Sequence, residues 1–344
     1  MKGIAHFAIG IAVSTFFPQI VHDAAQGLAF GPVLAGIAGL LPDTLDFKLL
    51  RYLERPDEVI DPAHLTPPAT GAPDPASAGA PMGAPLAAPL AARIAAAANR
   101  AHDTGRPVRV QLHTLRLGGD LWRRWSVAFD TDGGQIRVHV GPAVTTAQVP
   151  MPGSEPPAPA TGSAPVRAPL RYPAGDEIVV DIFNGPSLTF EPGEGGVEVV
   201  FLPWHRAWTH SLLMALLLGL AGCLVAPVCG LAMALAVLAH AAIDQLGFMG
   251  SNLLYPWTRR RARGLGLFHS GEALPNFLAV WTSLALILLN LDRFSAQPVL
   301  PPGPYLLLAV VLPAAVLLAA SSRRGSGAAT AATEALEEAA DPEL

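Results

Sequence analysis

The sequence predicts an all-α polytopic membrane protein of about six transmembrane helices, with a small, mostly β extramembrane domain inserted between the second and third. Three observations carry this expectation. Of 344 residues, 51% are hydrophobic and only 14% charged, and the mean hydropathy is +0.40, too apolar for an ordinary water-exposed domain. The apolar residues gather in long runs near both ends of the chain. Between those runs, from about Pro56 to Pro203, the composition turns to Pro-rich and then alternating sequence.

The first run, Gly3 to Phe17, opens after Lys2 and closes at Pro18. A signal peptide shares that start, but no small-x-small cleavage site follows and His6 sits inside the apolar core, so a short first transmembrane helix is expected. Gly27 to Leu45 is the second, ending in LLPDTLD and followed by Lys48, Arg51 and Arg55. Pro62 to Pro89 is dominated by Pro, Ala and Gly, cannot bury a core and reads as a flexible linker. Ala91 to His102 reads as a short Ala-rich helix. Strands are expected at Val108 to Leu115, Trp122 to Asp130 and Gln135 to Val140, with Asp132-Gly133-Gly134 as a hairpin turn. After a second Pro-rich break, Pro150 to Pro169, further strands are expected at Glu177 to Phe183, Ser187 to Glu191 and Gly196 to Leu202. The second membrane part holds Ser211 to Val225, Gly230 to Phe248, Leu274 to Leu291 and Tyr305 to Ala320, and Ser321 to Leu344 reads as a disordered acidic tail.

Charge sets the expected topology. Lys2, Lys48, Arg51, Arg55, Arg206, the group Arg259 to Arg263, Arg323 and Arg324 fall on one side of such an arrangement, against Arg293 on the other. The positive-inside rule makes the first side cytoplasmic, and with it the N-terminus, the insert and the C-terminal tail. A net charge of −5 with no broad basic stripe argues against nucleic acid. Cys223 and Cys229 both lie in apolar sequence and indicate neither a disulfide nor a thiolate metal site.

That topology brings four polar clusters to the same face: His6, Asp43 with Asp46, His205 with His210, and His240 with Asp244. His240 and Asp244, at i and i+4, share a helix face, as do Asp43 and Asp46 at i and i+3 if the helix continues. Imidazole with carboxylate suits zinc, and is acceptable to manganese or iron. His205 and His210 would diverge by about 140° on one helix, so one of them is expected before the helix starts. Ionisable groups at a membrane are costly unless they pair or bind an ion. Each piece has a plainer alternative: a structural His240–Asp244 pair, helix-terminating aspartates at Pro42, or Arg206 as a topology determinant. His64, His102, His113 and His139 read as solvated, and His22 falls on the opposite side.

The runs MKGIAHFAIG, GLLPDTLD, HRAWTHS and HAAIDQLGFMGSNLLYPW, in that order, resemble the YdjM-like family of bacterial inner-membrane metal-dependent hydrolases. That family is distantly similar to zinc-dependent phospholipase C and the P1 nucleases. The resemblance covers roughly residues 1 to 50 and 202 to 290, with Ala207 where the family has glycine after its His-Arg pair. It implies a phosphoester hydrolase of the inner membrane with His6, Asp43, Asp46, His205, His210, His240 and Asp244 as ligands. Two or three divalent ions, zinc first, would be bridged by Asp43 or Asp46, with Arg206 stabilising charge on the phosphoryl oxygens. The site's place at a membrane boundary points to a lipid or lipid-linked substrate, and the bilayer is the expected partner. The competing reading is a non-catalytic metal-binding membrane protein, a transporter or a scaffold whose insert recruits a protein partner. The chain lacks the HExxH of an intramembrane zinc protease.

Overall fold

A computed structural model describes residues 2–65, 86–156, 160–172, 177–180, 185–258, 261–268 and 272–319. In chain order the helices are α1 (Gly3–Ser14), α2 (Pro18–Ala25), α3 (Phe30–Leu45), α4 (Arg51–Leu53), α5 (Ala87–Thr104), α6 (Leu212–Cys223), α7 (Pro227–Asp244), α8 (Ala273–Arg293) and α9 (Pro302–Leu306). The strands are β1 (Glu58–Ile60), β2 (Val108–Leu112), β3 (Leu115–Gly118), β4 (Leu121–Asp130), β5 (Gln135–Thr145), β6 (Thr161–Pro165), β7 (Leu170–Arg171), β8 (Ile178–Val180), β9 (Ser187–Gly193) and β10 (Gly196–Phe201). The chain divides into two compact units, Met1–Lys48 with Arg206–Leu344, and Leu49–His205.

The first unit is helical apart from two isolated bridges, Gly247 with Phe268 and Ser251 with Ala262. Its helices approach closely through small residues, the usual device where no hydrophobic drive favours one apolar surface over another. A Cβ on Gly10 of α1 would lie 2.3 Å from the Ala35 carbonyl oxygen of α3, and one on Gly39 would lie 2.6 Å from the His6 carbonyl oxygen. On the α6–α7 pair, a Cβ on Gly230 would meet the Gly219 carbonyl oxygen at 2.4 Å. Ala35, Ala38, Ala232 and Ala236 fill the shared core with Met214 and Val237. Asn290 of α8 donates to Thr15 Oγ1 at 3.0 Å, tying the end of α8 to the end of α1.

Among the described residues three helical spans are long and apolar enough to cross a bilayer: Pro227–Asp244, Ala273–Arg293 and Pro302–Ala319. A fourth counts if α1 and α2, bent by 98° to each other, are one broken span. This falls short of the expected six spans, while the expected mostly β insert is present as two sheets between the helical segments. The physical reason lies in the breaks. Ser14 and Thr15 turn their hydroxyls back to the Ile11 and Ala12 carbonyls, and Pro18 starts a new helix at its first position. At 12 residues α1 is about 18 Å long against a hydrocarbon core of ~30 Å, and α6 is equally short. Hydropathy counts apolar residues and is blind to such turns.

The second unit carries two sheets. The first runs β1-β2-β9-β10-β7, parallel at β1–β2 and β10–β7 and antiparallel between. The second runs β3-β4-β5-β6, with β8 against β4. The β4–β5 hairpin turns over the Asp-Gly-Gly sequence, with Gly134 at φ +61°, as expected. Val127, Ile136, Val138, Leu188, Phe190 and Trp125 alternate inward, and the Ala-rich face of α5 packs on them through Leu90, Ile94 and Ala98. A Cβ on Gly162 of β6 would lie 2.3 Å from the Ala88 nitrogen, so it is the missing side chain of Gly162 that lets the strand approach the start of α5.

The helix expected from Ala91 begins at Ala87, and the Pro-rich stretch from Pro150 holds β6, paired with β5. Proline is tolerated there because β6 is an edge strand. Most of the expected linker and all of the expected tail lie outside the described residues.

Candidate metal centre

α3 and α7 bring the centre together with the turn before α6. Asp43 lies in the last turn of α3, one residue after Pro42, and Asp46 opens a π-helical segment, Asp46–Leu50, that continues it. A π segment beside a proline-interrupted helix end is a frequent device for re-aiming side chains at sites. His240 and Asp244 lie on one face at the end of α7. His210 closes a 3₁₀ turn, Trp208–His210, just before Ser211 caps α6. Arg206 holds a left-handed φ of +58°, which costs a non-glycine residue about 1–2 kcal/mol. The chain therefore bends before the helix starts, and both His205 and His210 precede α6.

Asp43, His210, His240 and Asp244 each offer one ligand atom, all within 4.8 Å of one another. His210 Nε2 is 3.0 Å from His240 Nε2, 3.2 Å from Asp43 Oδ1 and 3.4 Å from Asp244 Oδ2. His240 Nε2 is 3.2 Å from Asp244 Oδ2 and 3.7 Å from Asp43 Oδ1. His6 stacks on His240 at 3.7 Å between ring centroids. Its Nε2 lies 3.5 Å from Asp244 Oδ1 and 3.8 Å from Asp43 Oδ2, and among the described residues neither of its ring nitrogens has a hydrogen-bond partner. Asp43 and Asp244 thus each turn one oxygen to the His210–His240 pair and the other to His6.

The residues fit a cation. His240 Nδ1 faces the Gly39 carbonyl oxygen at 2.6 Å, a pure acceptor, so Nδ1 carries the proton and Nε2 presents its lone pair. That lone pair meets another ring nitrogen and two carboxylate oxygens in a space open to solvent only on the Asp43 side. Two nitrogens bound to one tetrahedral zinc at ~2.0–2.1 Å stand about 3.3 Å apart, close to the observed 3.0 Å.

Asp46 is brought to the same place but engaged differently. Its Oδ1 accepts from Thr209 Oγ1 at 2.6 Å and its Oδ2 from the Arg206 backbone N–H at 2.8 Å. It lies 3.4 Å from His210 Nδ1, the nitrogen turned away from the four donors. Arg206 donates through NH2 to Asp244 Oδ1 at 2.9 Å and through NH1 to the Asp244 carbonyl at 3.3 Å. His205 ends the second unit and is described with it: its backbone N–H donates to the Leu202 carbonyl at 3.0 Å. His64, His102, His113 and His139 are exposed, as expected, and His22 is exposed too.

Of the residues that shape the centre, Thr209 and the Gly39 carbonyl escape sequence reasoning. Thr209 lies inside HRAWTHS between two histidines, which is a signal by position; a backbone carbonyl leaves none.

Residues 185–326 match the family model of the YdjM inner membrane protein. The YdjM match takes in Arg206, His210, His240 and Asp244 and stops short of His6, Asp43 and Asp46, which come from the other end of the chain. No curated protein and no solved structure matches.

Proposed function

We propose that this protein is a membrane-embedded, metal-dependent hydrolase of phosphoester bonds in a lipid or lipid-linked substrate. The observation that carries the reading is the convergence of two imidazole Nε2 atoms 3.0 Å apart with the carboxylates of Asp43 and Asp244. His210, His240, Asp43 and Asp244 would hold the first ion, zinc first among candidates with manganese or iron behind it, and His205 is not needed for these four donors. His6, with the second oxygens of Asp43 and Asp244, supports a second. A divalent ion supplies, when bound, Lewis acidity and a water acidified toward neutral pH.

The side chains divide the remaining work. Asp43 is 17% exposed, while His210, His240 and Asp244 are fully buried, so substrate and water reach the centre past Asp43. Its carboxylate is placed to take the proton of the attacking water. Arg206 fixes Asp244 with two hydrogen bonds, and its buried Nε, without a hydrogen-bond partner among the described residues, is a donor free for a phosphoryl oxygen. The exposed apolar faces of α6 and α8, among them Leu216, Leu220, Leu284 and Leu288, suit an acyl or prenyl chain. The basic residues on the centre's side, Lys2, Lys48 and Arg206 among them, support a cytoplasmic face for the site, with the N-terminus, the second unit and the tail on that side of a bacterial inner membrane.

The test is metal content and phosphoester release from purified protein, wild type against Asp43→Ala. Release that needs metal and is lost in the variant supports the hydrolase. Bound metal with no turnover on a broad panel of lipid phosphoesters would sink it and favour metal transport or scaffolding.

A further inference from the structure

We infer that Thr209 and Asp46 form a lock that holds His210 in the tautomer needed at the centre, and that Asp46 acts on the four-donor centre as a positioning residue through His210. The inference rests on the metal reading above and concerns how this chain aims one of its own donors.

The hydrogen bonds leave little freedom. The Asp46 carboxylate can only accept. Thr209 gives its hydroxyl proton to Asp46 Oδ1 at 2.6 Å, so the oxygen that faces His210 Nδ1 at 3.1 Å has only lone pairs to offer there. Asp46 Oδ2, 3.4 Å from the same nitrogen, is also an acceptor. Two acceptors around Nδ1 place its proton on that nitrogen and leave Nε2 as the donor atom toward His240, Asp43 and Asp244. The lock is itself held: the Arg206 backbone N–H donates to Asp46 Oδ2 at 2.8 Å from a left-handed residue. Asp46, Thr209 and His210 are all fully buried, so no water competes for these bonds. The same logic operates at His240 with the Gly39 carbonyl in place of the carboxylate. The strained turn at Arg206 thus acquires a purpose: it aims one backbone N–H at the group that orients His210.

Thr209→Val keeps the side-chain shape and removes the hydroxyl. Asp46→Asn puts an amide where a carboxylate stood, and its NH2 group turned to Nδ1 would move the imidazole proton to Nε2. Thr209→Ser keeps the hydroxyl. Zinc and cobalt affinities of the full-length protein in detergent are the readout, by competition with a chelating dye, alongside the melting temperature without metal. Expected is a loss of about 10- to 100-fold in affinity for Thr209→Val and Asp46→Asn, the range seen when outer partners of metal-bound histidines are removed, with Thr209→Ser close to wild type. Nitrogen-15 shifts of the zinc-loaded wild type should show His210 bound through Nε2 with Nδ1 protonated. Unchanged affinity in both disruptive variants, or His210 bound through Nδ1, overturns the lock and leaves the metal centre standing. Wild-type protein that binds no zinc, cobalt or manganese overturns the metal reading and takes the lock with it.

Discussion

His210 and His240, thirty residues apart in the chain, point their Nε2 atoms at each other across 3.0 Å of buried space. One comes from a 3₁₀ turn and the other from the last turns of α7. Both have their second nitrogen turned to acceptors, so the pair is set to share a cation. His240→Ala should therefore lower zinc affinity by about 100-fold or more, at least the loss that outer partners cause. Equilibrium dialysis measures it; a variant that still binds zinc like the wild type would remove His240 from the centre.

Gly39 couples packing to the centre. A Cβ there would come within 2.6 Å of the His6 carbonyl oxygen, and the Gly39 carbonyl is the acceptor for His240 Nδ1. Gly39→Ala should push α1 from α3 at a cost of about 1–3 kcal/mol and weaken zinc binding together with it. Thermal unfolding in detergent and dye competition report the two effects. Loss of stability with metal affinity intact would separate the packing from the centre.

Arg206 and Asp244 are a buried ion pair, 2.9 Å apart, at 7% and 0% side-chain exposure. Arg206→Met leaves the carboxylate without its guanidinium, and breaking such a pair costs about 3–5 kcal/mol. Zinc should restore more stability to this variant than to the wild type, because an ion at the centre also compensates Asp244. Melting curves with and without zinc test this, and an equal zinc shift in both proteins would count against it.

Glu54 in the second unit gives a pH dependence. Burial raises its carboxyl pKa above the ordinary 4.5, outweighing the Arg109 guanidinium 3.7 Å away and the Ser187 hydroxyl at 3.3 Å, which pull it down. A carboxyl group with a raised folded-state pKa adds stability that is fully present below 4.5 and is lost as pH rises through the folded-state value. Glu54→Gln should flatten the stability profile above pH 4.5, the variant gaining on the wild type as pH rises. Denaturant titrations across that range would show it; parallel profiles would refute it.

Local pattern decided much of this on its own. Apolar runs placed α1, α3, α6, α7 and α8 within a few residues, and alternation with the Asp-Gly-Gly turn placed β4 and β5. The same reading set His6, Asp43, His210, His240 and Asp244 on one face, from the alternation of successive apolar runs and, for His240 with Asp244, from their i, i+4 spacing. What it missed depends on residues far apart in the chain. β6 exists because β5 offers it an edge, and Gly162 lets it lie against the start of α5; neither partner is visible in TGSAP by itself. The number of spans turned on where hydroxyls and prolines break a helix, and α1 stops at Ser14 although its apolar run goes on. Asp46 looks like Asp43 in the sequence, three residues away on the same helix end. Only the fold sets Thr209 and the Arg206 backbone against its two oxygens, turning one aspartate to the Nδ1 side of His210 while the other faces its Nε2. A side chain's type states what it can bind, and its role depends on which atoms the tertiary structure brings to its lone pairs.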